Sequence, residues 1–199
     1  LENSPILLLA SASPRRQQLL RQIGVSCEVA AQDIDETPLP DEQPEQYVLR
    51  LAQEKAQAAQ STVNDGRVVM GSDTVVVCDG EILGQPADKA EAISMLLRLS
   101  AKTHEVLTAV HVADSGRGMS RLSRTQVSFR EIQPAEAEGY WETGEPIGKA
   151  GGYGIQGYAA VFVKEIVGSY SGVMGLPLFE TAALLQEFDI PCWQHLDKK

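Results

Sequence analysis

The chain has 199 residues, 43% of them hydrophobic, and its 27 acidic against 17 basic residues give a net charge of −10. That is enough apolar material for a core of domain size, and the negative balance argues against partners that need a basic face, nucleic acid and anionic membranes among them. Cys27, Cys78 and Cys192 share no zinc-type spacing and cannot all pair within one chain, which favours a reduced, cytoplasmic setting, and no apolar run is long enough to span a membrane.

Ile6 to Ala10 reads as a buried strand that runs into a helix start, with Ser13 in the N-cap position and Pro14 first in the helix. Leu19, Leu20 and Ile23 give the helix one apolar stripe, and Gly24 closes it. Its first turn carries Arg15 and Arg16. A cation at a helix N-terminus is unfavourable by about 0.3–1 kcal/mol when exposed. A bound anion offsets that cost, because free N–H groups, the helix dipole and two guanidinium forks converge on phosphate-like oxygens. Two solvated arginines at a tolerated cost are the alternative.

A short strand from Cys27 to Ala31 leads into an acidic, Pro-rich loop over 33–40 that contains Asp35 and Glu36. A helix follows from Pro44 to Gln60, and its spacing of Val48, Leu51, Ala52 and Ala59 also turns Lys55 inward, where it either snorkels or meets an anion. Val68 to Val77 is a β-branched run ending at the turn Asp79-Gly80, from which Glu81 to Leu83 returns as a second strand. Asp88 and Glu91 form an acidic capping box for a helix from Lys89 to Leu99. Strands at Glu105–Ala113 and Arg121–Ile132 form a hairpin around Asp114-Ser115-Gly116, and Pro134 opens a helix to Glu142. Residues 148–157 hold five glycines in ten positions; a strand from Ala159 to Ile166, a turn at Gly168 and a helix from Pro177 to Phe188 complete the chain. The order predicts an α/β fold with a mixed sheet.

Asp73 lies in the middle of the β-branched run, where an ionised carboxylate must be paired, hydrogen-bonded or bound to metal. Hydrogen bonds from Ser72, Thr74 or backbone would satisfy it without any function. With Glu36 or Asp35 it can hold Mg²⁺, substrate phosphate and water completing the coordination. Arg15, Arg16 and Lys55 supply the opposite charge, and cations facing carboxylates suit phosphoanhydride hydrolysis: the cations spread charge on phosphate oxygens while a carboxylate activates water. The Gly-rich loop does not match the Walker spacing, and a plain tight turn is its rival, but the Gln156 amide offers both donor and acceptor to the edge of a base.

Ser11-Ala12-Ser13-Pro14-Arg15-Arg16, Glu54-Lys55-Ala56, Gly71-Ser72-Asp73-Thr74-Val75-Val76, the stretch from Lys149 to Gly157, and Gly168-Ser169-Tyr170 with Val173 to Leu178 resemble, in order, the motifs of the Maf family of nucleotide pyrophosphatases. The resemblance covers almost the whole chain. It implies a single domain over 1–199, two-lobed around a central cleft, with an elongated mixed sheet flanked by helices, similar to inosine triphosphate pyrophosphatases. It also implies hydrolysis of a nucleoside triphosphate at the α–β anhydride with Mg²⁺ or Mn²⁺, a homodimer, and a link to septum formation.

Carried over, Asp73 activates water, Ser11, Arg15, Arg16 and Lys55 bind phosphates, and Glu36 joins Asp73 at the metal. Arg15, Thr74 and Gln156 match the branch acting on dTTP and UTP; the branch acting on 7-methyl-GTP tends to carry Glu at the position of Gln156. One departure is Gly84-Gln85-Pro86, where the family usually has Lys in place of Gln85. The rival readings are a non-catalytic nucleotide-binding regulator of division and a phosphomonoesterase, although the chain lacks the Asp-x-Asp and Cys-x5-Arg signatures of the latter.

Overall fold

Leucine and β-branched runs become strands, and the runs with 3–4 spacing between them become helices. A computed structural model of the protein describes residues 7–63 and 66–193. In chain order the elements are β1 (Leu7–Leu9), α1 (Pro14–Gln22), β2 (Cys27–Val29), α2 (Pro44–Ser61), β3 (Val69–Cys78), β4 (Glu81–Leu83), α3 (Lys89–Leu99), β5 (Thr103–Ala113), β6 (Gly118–Phe129), α4 (Pro134–Glu142), β7 (Val163–Val167), α5 (Tyr170–Val173) and α6 (Leu178–Glu187). The strands form one mixed sheet in the order β2-β1-β3-β5-β6-β7, with β4 paired to β3. β1 pairs in parallel with β2 and β3, whereas β3 with β4 and β6 with β7 are antiparallel. The expected α/β fold with a mixed sheet is the fold observed.

Differences from the expected boundaries are local. Ile6 lies outside the described residues. Strand β6 sits three residues earlier than expected, because Asp114 Oδ1 accepts from the backbone N–H groups of Gly116 (2.7 Å) and Arg117 (2.9 Å) and closes the hairpin turn early. The strand expected from Ala159 begins only at Val163, since Tyr158–Phe162 winds into a short 3-10 helix. Ser13 occupies the N-cap of α1 without a side-chain capping bond; its own N–H donates to Ser11 Oγ at 3.2 Å. At α3 the Asp88 carboxylate does cap, accepting from the Glu91 N–H at 2.9 Å, but Glu91 reaches back to the Ala87 N–H, one residue before the position a capping box requires.

The chain divides into two compact units. One comprises Leu1–Asp73, Thr108–Ser123 and Gly175–Lys199, the other Thr74–Leu107 and Arg124–Met174. In the first, Leu8, Ala10, Ala56, Ala59 and Val69 pack together, so small residues on α2 let the helix lie close to β1 and β3. In the second, Phe129, Tyr140, Tyr153, Phe162 and aliphatic residues of α3 form the core, with several aromatic pairs edge to face.

His104 belongs to that second core. Its Nε2 is 2.8 Å from the Tyr153 hydroxyl, its Nδ1 is buried with no hydrogen-bond partner, and burial lowers its pKa from 6.5 to about 4. The unfolded chain therefore binds a proton that the folded chain refuses between these values. Stability is complete above pH 6.5 and falls as the pH drops toward 4, by about 3 kcal/mol from this residue. Urea unfolding at a series of pH values should show this slope in the wild type and lose most of it in His104→Gln.

Candidate active site

Parallel pairing of β1 with β3 assembles the charged residues of the first unit. Leu8 stands beside Val69 and Leu9 beside Met70, so the end of β1 that feeds α1 runs alongside the part of β3 that carries Ser72 and Asp73. Strand β1 is buried throughout and β3 almost so, which explains why both lack polar alternation. Helix α2 then packs so closely on β3 that only glycine fits at position 71. A Cβ there would lie 2.0 Å from the Ala52 carbonyl oxygen and 2.8 Å from the Ala56 N. This contact sets Lys55, between those two positions on α2, opposite Asp73. Gly71→Ala should cost about 3 kcal/mol or more, since backbone on both sides must move; denaturant midpoints at constant slope would measure it.

Asp73 is 7% exposed. Its Oδ1 accepts from Lys55 Nζ at 2.6 Å, and the same ammonium lies 2.7 Å from Glu36 Oε1. Burial raises the Asp73 carboxyl above the usual range even though Lys55 and Arg16 pull the other way. Arg16 is equally constrained: its Nε donates to the Gly175 carbonyl at 2.8 Å and its Nη1 to Ser11 Oγ at 3.0 Å. Burial lowers its pKa, Asp73 raises it, and Arg15 lowers it further. The Gly175 carbonyl also accepts from Ser72 Oγ at 3.2 Å. Ser11 is thus bonded to Arg16, and Lys55 bridges Glu36 and Asp73, while the two groups are coupled through the charges of Arg16 and Asp73, and Arg15 acts on Arg16 through charge.

Two residues that sequence reasoning missed hold Glu36 in reach. The buried Tyr47 hydroxyl donates to the Glu36 carbonyl at 2.8 Å, and burial lifts its pKa to about 12. Arg50 grips Glu42 with both faces of its fork (2.6 and 2.8 Å), reaches Glu54 at 3.1 Å and donates to the Thr37 carbonyl at 3.2 Å. A tyrosine on the apolar stripe of α2, near Val48 and Leu51, was the available signal. The partners of Arg50 on the loop had none.

The remaining expected residues lie in the second unit. Thr74 is half-buried on β3 and leaves the strand on the face opposite Asp73. Gln156 is exposed, as is Gly157 after it, and follows the buried Ile155. Gln85 is exposed beside the glycine-rich loop: a Cβ on Gly148 would lie 4.0 Å from its Oε1, and the neighbouring Gly84 carbonyl accepts from the Gly151 N–H at 2.9 Å. Lys89, at the start of α3, pairs with Glu142.

For a divalent metal, the donor set is two carboxylates. Among the described residues no group of three or more His, Cys, Asp and Glu side chains gathers to hold an ion. Glu36 and Asp73 nevertheless converge on one positive charge, the Lys55 ammonium. That suits Mg²⁺ or Mn²⁺, hard ions satisfied by one or two carboxylates plus water and phosphate oxygens.

The chain is 52% identical over 198 residues to the dTTP/UTP pyrophosphatase of Saccharophagus degradans, covering 98% of this chain and 94% of that one. It is 51% identical over 199 residues to the dTTP/UTP pyrophosphatase of Alkalilimnicola ehrlichii, covering 98% of each, and 50% identical over 182 residues to that of Vibrio vulnificus, covering 92% of this chain and 98% of the other. Among solved structures, the Staphylococcus aureus Ham1 protein superposes with a TM-score of 0.45 at 16% identity, over 64% of this chain and 72% of that one. The profile of the Maf family, described as Maf-like protein, matches residues 6–188, and the chain belongs to that family.

Proposed function

We propose that this chain is a nucleoside triphosphate pyrophosphatase acting on dTTP and UTP at the α–β anhydride, giving the monophosphate and pyrophosphate. The observation that carries the reading is the Lys55 ammonium held between Asp73 and Glu36, with the Arg16 guanidinium fixed by Gly175 and Ser11 and coupled to Asp73 through charge. The names of the relatives, at 50–52% identity over nearly the whole chain, support the substrate class.

In this reading Asp73 takes a proton from the attacking water while its oxygen bonds to the α-phosphorus and the bond to the bridging oxygen breaks, releasing pyrophosphate. Burial raises the Asp73 pKa, which makes it a stronger proton acceptor than an ordinary carboxylate. Arg15, Arg16 and Lys55 bind phosphate oxygens and spread their developing charge, and Ser11 orients Arg16. A divalent ion held by Glu36 and Asp73 would supply Lewis-acid stabilisation of phosphate charge. Gln156 and Thr74 are assigned to the base: the neutral amide both donates to and accepts from a uracil or thymine edge.

The test is to incubate the protein with a panel of nucleoside triphosphates and Mg²⁺ or Mn²⁺ and to quantify pyrophosphate and orthophosphate separately. Pyrophosphate from UTP and dTTP, with little from 7-methyl-GTP, is expected. Orthophosphate as the main product overturns the choice of bond. No turnover on any triphosphate, with binding intact, overturns the enzyme reading and directs attention to Gln85.

A further inference from the structure

The segment that carries Gln156 is organised by one carboxylate that its own sequence pattern does not announce. Glu145 Oε1 accepts from the Tyr140 hydroxyl at 2.7 Å and from the Ala159 N–H at 3.2 Å, and its Oε2 accepts from the Tyr158 N–H at 2.9 Å. The Tyr140 hydroxyl in turn accepts from the Gly154 N–H at 3.0 Å, and Lys149 Nζ donates to the Glu145 carbonyl. The loop is therefore tied to Glu145 at its start through Lys149, in its middle through Gly154, and past its end through Tyr158 and Ala159.

The glycines record the same contact. A Cβ on Gly157 would lie 1.8 Å from Glu145 Oε2, and one on Gly154 would lie 3.1 Å from Oε1. Gln156 sits between these two glycines. Burial alone raises the Glu145 carboxyl pKa, but the bonds from Tyr140, Tyr158 and Ala159 and the charge of Lys149 outweigh it, so the group stays ionised below the usual carboxylate range. A carboxylate that accepts three hydrogen bonds in this way fixes backbone more firmly than a neutral side chain does.

We infer that Glu145 is a positioning residue for base recognition: its carboxylate holds the backbone on both sides of Gln156 and so sets the discrimination between bases. This rests on the reading of Gln156 as the base-contacting residue. Glu145 itself touches no reacting atom in this account. Its loss should therefore act on the affinity for the favoured nucleotides and on the ratio between nucleotides, and little on the turnover of a bound one.

Glu145→Gln is the informative variant, because it keeps the shape but points an amide N–H₂ at backbone donors. Measured on the full chain, it should raise KM for UTP about tenfold or more, change kcat by less than about threefold, and lower the kcat/KM ratio of UTP over CTP and GTP by about tenfold. Tyr140→Phe, which keeps the ring packed on Phe162 and removes the hydroxyl that links Glu145 to Gly154, should move the ratio the same way by less, since Tyr158 and Ala159 stay bonded to the carboxylate. Hydrogen exchange should show the Tyr158 and Ala159 amides losing protection in Glu145→Gln. If those amides are released and the ratio does not change, or if every triphosphate slows equally through kcat, Glu145 is structural only and the inference falls. A wild type with no preference among bases overturns the role of Gln156, and that result appears before any variant is made.

Discussion

Asp73→Asn should lower hydrolysis of UTP and dTTP by about 10³-fold, within the range usual for removal of a general base, while nucleotide binding persists. Asn has the same shape, so the packing of β3 should survive, and Lys55 retains Glu36 as a partner at 2.7 Å. What disappears is the buried carboxylate that accepts from Lys55 and whose pKa burial raises. Pyrophosphate release under single-turnover conditions, with a parallel titration by a fluorescent nucleotide, separates the two effects. A variant that keeps more than about a tenth of wild-type activity would show that another group takes the proton. The same variant addresses the regulatory rival, since a division phenotype that survives it does not depend on hydrolysis.

Removing the charge of Arg16 should cost nearly as much. Arg16→Gln is expected to lower kcat by about 10³-fold, the order seen when a cation that stabilises a transferring phosphoryl group is lost, and Arg16→Lys should recover only part of it. The reason for partial recovery is geometric. The guanidinium donates from Nε to the Gly175 carbonyl and from Nη1 to Ser11 Oγ, and these two bonds fix the plane and direction of its fork. A lysine ammonium is a point charge without that fork. Comparing kcat for the three proteins, each shown folded by thermal unfolding, checks this. Equal rates for Lys and Arg at position 16 would mean that charge alone matters there.

Most of the fold could be read from periodicity. The β-branched run of β3, the stripe of α2 and the Asp79-Gly80 turn each carry their signal within a few residues, and Lys55 on an apolar stripe was visible as a conflict that demanded a partner, as was Asp73 inside a strand. The partner itself was not. The Lys55–Asp73 contact depends on Gly71 admitting the backbone of α2, and a glycine within a strand reads equally well as a bulge. The 3-10 helix at Tyr158–Phe162 was hidden for a similar reason. Its residues have strand propensity, and what winds them is the Glu145 carboxylate, thirteen positions before Tyr158. Glu145 stands in no periodic pattern, so nothing local marked it as an anchor. The 3.2 Å Ser13–Ser11 contact shows the same limit on a smaller scale: the sequence placed a serine at the helix start, but the Ser11 hydroxyl it meets is the one Arg16 also uses.

The Gly175 carbonyl accepts from Arg16 and from Ser72, joining positions 159 and 103 residues apart. During synthesis the arginine of the first helix is made early and waits for its acceptor until the 159 residues up to Gly175 have followed it. At about 5–20 residues per second this is a delay on the order of ten seconds, during which the centre lacks a contact that fixes its cation. Nascent chains stalled before Gly175 should therefore hold Arg16 and Ser72 without their shared oxygen. The full set of contacts around Arg16 is thus a late event of biogenesis, reached when the segment that carries Gly175 docks.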